Sequence, residues 1–439
     1  MKRILQGAQR IAGWSLRTAF VTIPFALIVL TAYSHAQTYT VVHAFTGGGD
    51  GQYPWTGLTM DRAGNLYGTT VSGGGGACTG DFGTGCGVVF KLSHTASGWV
   101  FAPLHVFTGS NDGQAPLSRL IFGPDGRLYG ATANGGSGSC STEWGSGCGI
   151  VFSLSPPQNA CKSVLCPWTE RIIYHFQGQF DGGVPIGDLA FDQAGNLYGT
   201  TIVRGANGAG VVYKLSPSNG EWTQTIVWAF TDYGDGGHPW GGVVFDSTGN
   251  LYGTTAAGGY LDQGECYEGC GTVFQLTPSD SSWTENTLHT FNGSDGGFSA
   301  ADLIFDGAGN LYGNTTSGGS NNGGTVFELT PSGGMWTFSS LFTDLSNGIQ
   351  GGPWATMTID KSGNLLGTRK SGGLYGAGTV FMMTQTGGMW MLTDLHAFSG
   401  GTDGGNPSGS VTLDAGGNVY GTALLDGLYG KGVIFQITP

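Results

Sequence analysis

The residues with chemical potential are those that break a pattern. Arg119, Asp188 and Asp302 stand at one slot of a repeating unit where other copies carry Gly57, Gly242, Thr356 and Ser410. Two positions earlier, on the same side of the strand, Trp occurs in only three copies, as Trp55, Trp240 and Trp354. A residue present in every copy usually holds the unit together, so these exceptions are the candidate ligand-binding set. Tryptophan faces over a polar floor suit sugars or peptides. Charges at the start of an inner strand are costly unless paired or facing a ligand. Arg119 and Asp188 fall in adjacent copies, so a simple ion pair is open to them. Asp188 and Asp302 would be the carboxylate partners of a glycoside hydrolase or polysaccharide lyase, but they fall in non-adjacent copies and no nucleophile motif accompanies them. No catalytic residue is therefore assigned. His238 joins the ligand-binding candidates, and Glu143, Arg204, Glu265, Glu268 and Arg369 are further repeat-breaking charges placed in loops.

Recurrent polar residues invite a plainer explanation. Asp50, Asp112, Asp181, Asp235, Asp295 and Asp403 each stand 14 residues before a turn glycine, with Ile349 as the exception. A ring of six carboxylates could hold Ca2+; an Asp-Gly turn is the alternative favoured by their DGxxP context. His43, His105, His289 and His396 share a slot with Tyr174, Trp228 and Phe342, which points to aromatic packing rather than a metal or acid/base role.

The elements that position these residues come from the repeat. GNLYGTT occupies residues 64–70 and returns at Gly195 and Gly249, with variants at Gly126, Gly309, Gly363 and Gly417. The intervals of 62, 69, 54, 60, 54 and 54 give a base period of 54 with insertions. Each copy predicts four strands: an apolar run, a tight turn into LYGTT, a third strand such as residues 324–329, and a fourth beginning at a Trp. The recurrent turn residues Asp61, Asp192, Asp246, Asp306, Asp360 and Asp414 are expected to bond their own hairpins. Seven four-stranded units describe an all-β, seven-bladed β-propeller.

The last copy stops at Pro439 after its third strand. TYTVVHAF at 38–45 matches the fourth-strand segment VFAPLHVF at 100–107, and Gln37 lies 27 residues before Gly64, in the register of the fourth-strand tryptophans. The N-terminal strand is thus predicted to complete the last blade and close the ring.

The pattern D-x-x-G-N-L-Y-G-T-T, then GG, then G-T-V-F-x-L, resembles the GloVer tandem-repeat family of exported bacterial proteins over essentially the whole chain after residue 36. That resemblance implies an extracellular or surface location and implies no activity. The hairpin is also similar to the Asp-boxes of sialidases, a motif that carries no catalytic residue with it.

Cysteines fall in local pairs: Cys78 and Cys86, Cys140 and Cys148, Cys161 and Cys166, Cys266 and Cys270. Each pair sits inside an insertion relative to the shorter copies. An even count and local spacing predict four disulfides rather than a zinc site. Chain direction places the second-to-third-strand loops, three of them disulfide-bearing, on the same face as the DGxxP loops, where the inner strands converge on a central mouth.

Composition sets the remaining limits. The chain has 439 residues, 85 Gly, 24 Phe and 12 Trp, enough aromatic material for a packed core. Lys2, Arg3, Arg10 and Arg17 precede an apolar run over 18–33, and Ser34-His35-Ala36 provides a cleavage-site pattern, so residues 1–36 are expected to be a signal peptide and 37–439 a single exported domain. Loss of those four basic residues takes the formal net charge from −13 to −17, which argues against nucleic acid as a partner. No later segment is long and apolar enough to span a bilayer, and nothing in the sequence fixes an oligomeric state. The expected function is an exported binding or scaffold propeller, recognising glycan or peptide at the mouth, without metal or cofactor unless the Asp ring takes calcium. An extracellular carbohydrate-active enzyme and a purely structural surface protein are the alternatives.

Overall fold

The computed structural model describes residues 37–80, 82–142, 145–157, 167–259, 266, 268–280, 282–343 and 352–439. The leader, Glu143, Glu265 and Ile349 lie outside them, as do Cys161 and Cys166. Each copy of the phrase forms one four-stranded antiparallel sheet, and the seven sheets make a seven-bladed propeller. The first blade runs Thr59–Met60, Leu66–Thr70, Val88–Thr95 and Gly98–Val106. Among the described residues there is no helix.

The repeated letters have separable jobs. Asp61 accepts the backbone N–H groups of Ala63 and Asn65 on Oδ1, and the Asn65 amide and Tyr67 hydroxyl on Oδ2. The same set recurs at Asp192, Asp306 and Asp414. The turn aspartate therefore holds its own hairpin, as expected. The glycine of LYG makes room for the third strand: a Cβ on Gly68 would lie 2.6 Å from the Phe90 ring, and Gly313 and Gly421 stand in the same relation to Phe327 and Phe435. Those rings are fully buried, and each contributes roughly 1.5–3 kcal/mol by leaving water. The first Thr of the phrase ties blade to blade. Thr200, Thr254, Thr368 and Thr422 donate to the carbonyls of Gly241, Ala301, Gly409 and Thr56 in the following blade. Asn314 does the same to Ala355.

The ring closes as predicted. Thr38–Ala44 pairs antiparallel with Val433–Thr438, from Thr38 opposite Thr438 to Ala44 opposite Val433. This makes the N-terminal strand the outer strand of the seventh blade. Thr422 of that blade donates to Thr56 of the first at 2.9 Å, so closure is made at the inner rim as well.

Three predicted disulfides are present, at Cys78–Cys86, Cys140–Cys148 and Cys266–Cys270. The fourth, expected between Cys161 and Cys166, falls in the insertion at 158–166 and so lies outside the described residues. A loop closed over eight residues gains about 2.5 kcal/mol by the chain-entropy estimate. Isolated bridges such as Gln52 to Ser72 and Gln114 to Asn134 set each DGxxP loop beside its own blade's second-to-third-strand loop. The two loop sets therefore share one face.

Candidate site at the mouth of the central channel

Seven inner-strand positions meet at the axis: Gly57, Arg119, Asp188, Gly242, Asp302, Thr356 and Ser410, and all but Gly242 line one funnel. The funnel is too narrow for seven side chains. A Cβ on Gly242 would lie 2.1 Å from the Asp188 carbonyl oxygen, and one on Gly57 would lie 2.0 Å from the Ser410 hydroxyl. Glycine at these two slots leaves space for the charged side chains of the others.

Those charges form one connected floor. Arg119 donates its backbone N–H to Asp188 Oδ1 at 2.8 Å and its Nε–H to Oδ2 at 2.9 Å. Gly242 donates its N–H to Asp302 Oδ1 at 2.6 Å, and Asp302 donates its own N–H to Thr356 Oγ1 at 3.2 Å. A hydrogen bond joins Asp302 to Asp188. The sequence treats these two as separated by a blade, yet they meet because the intervening residue, Gly242, has no side chain to keep them apart. Burial, then the neighbouring Asp188 charge, holds the Asp302 carboxyl well above the usual carboxylate range despite the Gly242 N–H and Arg119. Of the two acids, Asp302 is the one that burial pushes toward its protonated form, in which it can donate to the neighbouring carboxylate. The Asp188 charge in turn raises Arg119 above its ordinary value. Arg119 keeps 32% of its side-chain surface exposed to the funnel.

The three tryptophans sit over this floor. Trp55 and Trp354 are 6.3 Å apart at 89°, and Trp354 and Trp240 are 5.9 Å apart at 75°. They come from the first, sixth and fourth blades, so the indoles meet across the axis edge to face. Phe298 packs on both Trp240 and Trp354, and Phe82, from the first disulfide loop, packs on Trp55. Lys370 places its ammonium 4.9 Å from the Trp354 ring and 5.3 Å from the Trp55 ring, a cation–π arrangement. Desolvation lowers the Lys370 pKa. Neither Lys370 nor Phe82 stands out in the sequence, since both lie in loops whose path the repeat does not set.

The funnel has about 70 Å³ of free volume, room for only a few waters. That space admits no more than one small polar group beneath the indoles. A larger groove of about 910 Å³ lies between the third and fourth blades. It is lined by repeat residues such as Asp192, Tyr198, Asp246 and Trp283, whose counterparts recur in six of the seven copies.

His238 stands apart from the funnel lining. Its ring Nδ1 lies 2.7 Å from the Ile202 carbonyl oxygen, and Nε2 is 3.4 Å from Asp232. Its backbone is left-handed, as are Tyr53, Ala115, Val184, Phe298 and Asn406 at the same slot, with φ between 53° and 61°. Each of the six donates its N–H across the blade boundary, for example His238 to Ala209 and Val184 to Cys148. Such a conformation costs a non-glycine residue on the order of 1 kcal/mol or more, offset here by the inter-blade bond. Residue type gives no sign of it.

The remaining candidates lie away from the funnel. Asp50, Asp295 and Asp403 lie beside His43, His289 and His396 at 3.1, 3.1 and 3.2 Å, while Tyr174 and Trp228 donate to Asp181 and Asp235. The shared property of this aromatic slot is thus a polar ring atom. Phe342, which has none, belongs to the copy with Ile349 in place of Asp. Among the described residues no three of the six DGxxP carboxylates come within reach of one ion; Asp112 instead joins His105 and Glu170. Arg204 and Glu268 are exposed. Arg369, read from sequence as a solvated loop charge, is instead buried in the strand Leu365–Arg369, bonded to Thr379 and Asp394. It takes the place of the second Thr of the phrase.

A profile of the Gloeobacter/Verrucomicrobia repeat matches residues 165–268 and 263–439. Among solved structures, a fungal alcohol oxidase of the AA5 family in complex with copper is similar at 14% identity and a TM-score of 0.52, over 92% of this chain and 76% of that one. The extracellular domain of a protein from B. thetaiotaomicron is similar at 10% identity and a TM-score of 0.52, over 91% of this chain and 40% of that one. A protein of unknown function from Dyadobacter fermentans aligns at 11% identity and a TM-score of 0.46, over 92% and 98% of the two chains. At such identities the likeness is one of fold. No curated protein matches the sequence.

Proposed function

Because the chain belongs to the Gloeobacter/Verrucomicrobia repeat family, whose pattern brings no catalytic residues with it, we propose from the mouth itself that this is an exported propeller that binds a glycan or peptide. The observation that carries this is the convergence of Trp55, Trp240 and Trp354 over Arg119, Asp188 and Asp302. All six depart from the repeat, and scaffold needs alone do not call for them. The part of these half-buried indoles left open supplies apolar contact with sugar faces or peptide side chains. Arg119, neutralised by Asp188 yet open to the funnel, supplies a donor for a hydroxyl or carbonyl.

Catalysis fits this floor poorly. Glycosidases hold their carboxyls roughly 5–9.5 Å apart with the sugar between them, whereas Asp188 and Asp302 bond directly to each other and to backbone N–H groups. Trp55→Ala or Trp240→Ala is expected to abolish ligand binding while leaving the fold intact, as read by calorimetry and circular dichroism. If Asp188→Asn instead removes turnover of a polysaccharide and leaves its affinity unchanged, the binding account fails.

Export rests on the leader pattern of residues 1–36 and on three disulfides, which persist in oxidising compartments. N-terminal sequencing of the exported protein should read from Gln37. A start at Met1 would exclude cleavage.

A further inference from the structure

At each described blade junction the polar aromatic slot of one outer strand faces a residue two positions after the fourth-strand Trp register in the next. At three junctions that residue completes an aromatic stack. His43 stacks on Phe101 at 4.4 Å, His289 on Phe338 at 3.7 Å and His396 on Tyr39 at 3.8 Å. Each of these histidines keeps Nε2 within 3.2 Å of its own loop aspartate.

The junction of the first and second blades, the remaining one with a histidine in the slot, departs on every count. The stacking residue is replaced by Glu170, and His105 Nε2 lies 3.8 Å from Glu170 Oε2 and 3.9 Å from Asp112 Oδ2. Neither distance is a hydrogen bond. His105 Nε2 and Glu170 Oε1 are fully covered and have no hydrogen-bond partner, which costs roughly 1–3 kcal/mol for each group so left. Asp112 is held from behind, its Oδ2 accepting the Thr108 N–H at 2.9 Å and its Oδ1 the Thr108 hydroxyl at 2.7 Å. Among the described residues no Lys or Arg pairs with either carboxylate. One ligand atom from each of His105, Asp112 and Glu170 lies within 4.8 Å of the others. The side chains are 16%, 18% and 14% exposed, so the point between them is covered but reachable.

We propose that this junction binds one divalent transition-metal ion through His105 Nε2, an Asp112 oxygen and a Glu170 oxygen. One imidazole and two carboxylates suit zinc, whereas calcium calls for six to eight oxygens. Zinc bonds of roughly 2.0–2.2 Å place ligand atoms about 3.3 Å apart in a tetrahedron. The two separations from His105 Nε2, 3.8 and 3.9 Å, close to that with movements of about half an ångström, the carboxylates draw together from within 4.8 Å, and water completes the shell. Thr108 fixes the Asp112 carboxylate as an outer-shell partner does. The ion would tie the outer strands of two blades and supply the positive charge the two acids lack. Another junction serves as an internal control: Glu285 occupies the Glu170 slot beside Asp235, but the facing residue is Trp228, which donates to Asp235 and ligates nothing.

Chelator-stripped protein spanning residues 37–439 should be titrated with ZnCl2 by calorimetry and by thermal melting. One zinc per chain and a raised melting temperature are expected. Glu170→Phe installs the residue of the Phe101 and Phe338 slots, so it should fold normally, melt without response to zinc and bind zinc at least about 100-fold more weakly. The proposal is overturned if the wild-type chain shows no saturable zinc binding, if Glu170→Phe retains it, or if Ca2+ binds there and Zn2+ does not.

Discussion

Deleting residues 37–44 is expected to leave the chain without a cooperative unfolding transition and prone to self-association. The deleted strand makes six paired positions with Val433–Thr438. Its Tyr39 ring packs on His396, Phe398 and Phe435. Backbone hydrogen bonds are worth about 1 kcal/mol each and the half-buried Tyr39, Val41 and Val42 side chains about 1 kcal/mol each, less than the value for full burial, a loss comparable with the roughly 5–15 kcal/mol by which a whole domain is typically stable. The strand Val433–Thr438 would become an unpaired edge, which invites pairing with another chain. A synthetic peptide covering 37–45 should restore the melting transition in trans by strand addition. A truncated protein that stays monomeric and melts like the full domain would show that the blades close without it.

The second large effect separates the two acids of the floor. Asp188→Asn removes the counter-ion of Arg119. Breaking a buried pair costs roughly 3–5 kcal/mol, and the low end, about 3 kcal/mol, is expected because 32% of the Arg119 side chain stays exposed. Asp302→Asn should behave in the opposite way. An amide reproduces the protonated acid, accepting from Gly242 and donating to Asp188. In the wild-type chain the folded value for Asp302 lies above the unfolded one. Below pH about 4 both states are protonated and the group is neutral to stability. As pH rises above that, the unfolded state ionises first and the wild type loses stability, until the folded value is reached. Asp302→Asn escapes this loss. Its melting temperature should match the wild type near pH 4 and exceed it near pH 8. A variant less stable than the wild type at pH 8 would mean that Asp302 is ionised and ion-paired.

The period of the GNLYGTT phrase made the blades legible from sequence, and the Trp register made the closing strand legible, because both are properties of strand-local spacing. Arg119, Asp188 and the tryptophans were legible as departures from that spacing. The contact between Asp188 and Asp302 was not, since it depends on the absence of a side chain at Gly242, a residue belonging to neither strand. The left-handed slot at Tyr53, Ala115 and Val184 leaves no trace in residue type because inter-blade hydrogen bonds impose it. The histidine slot was legible as aromatic but not as a partner of the DGxxP aspartates. That relation shows only when the ring atom meets the carboxylate seven residues on, as in His43 and Asp50. Arg369 reads as a loop charge because its replacement of a threonine hides a part-buried pair with the more exposed Asp394 behind a strand boundary.

The mouth as a binding surface is tested most directly by screening residues 37–439 on an array of glycans and peptides beside the Trp354→Ala variant. Trp354 bridges the other two indoles. The account predicts at least one class of ligand retained by the wild-type chain and lost by the variant. Retention that is indifferent to Trp354, or no ligand at all, would contradict it.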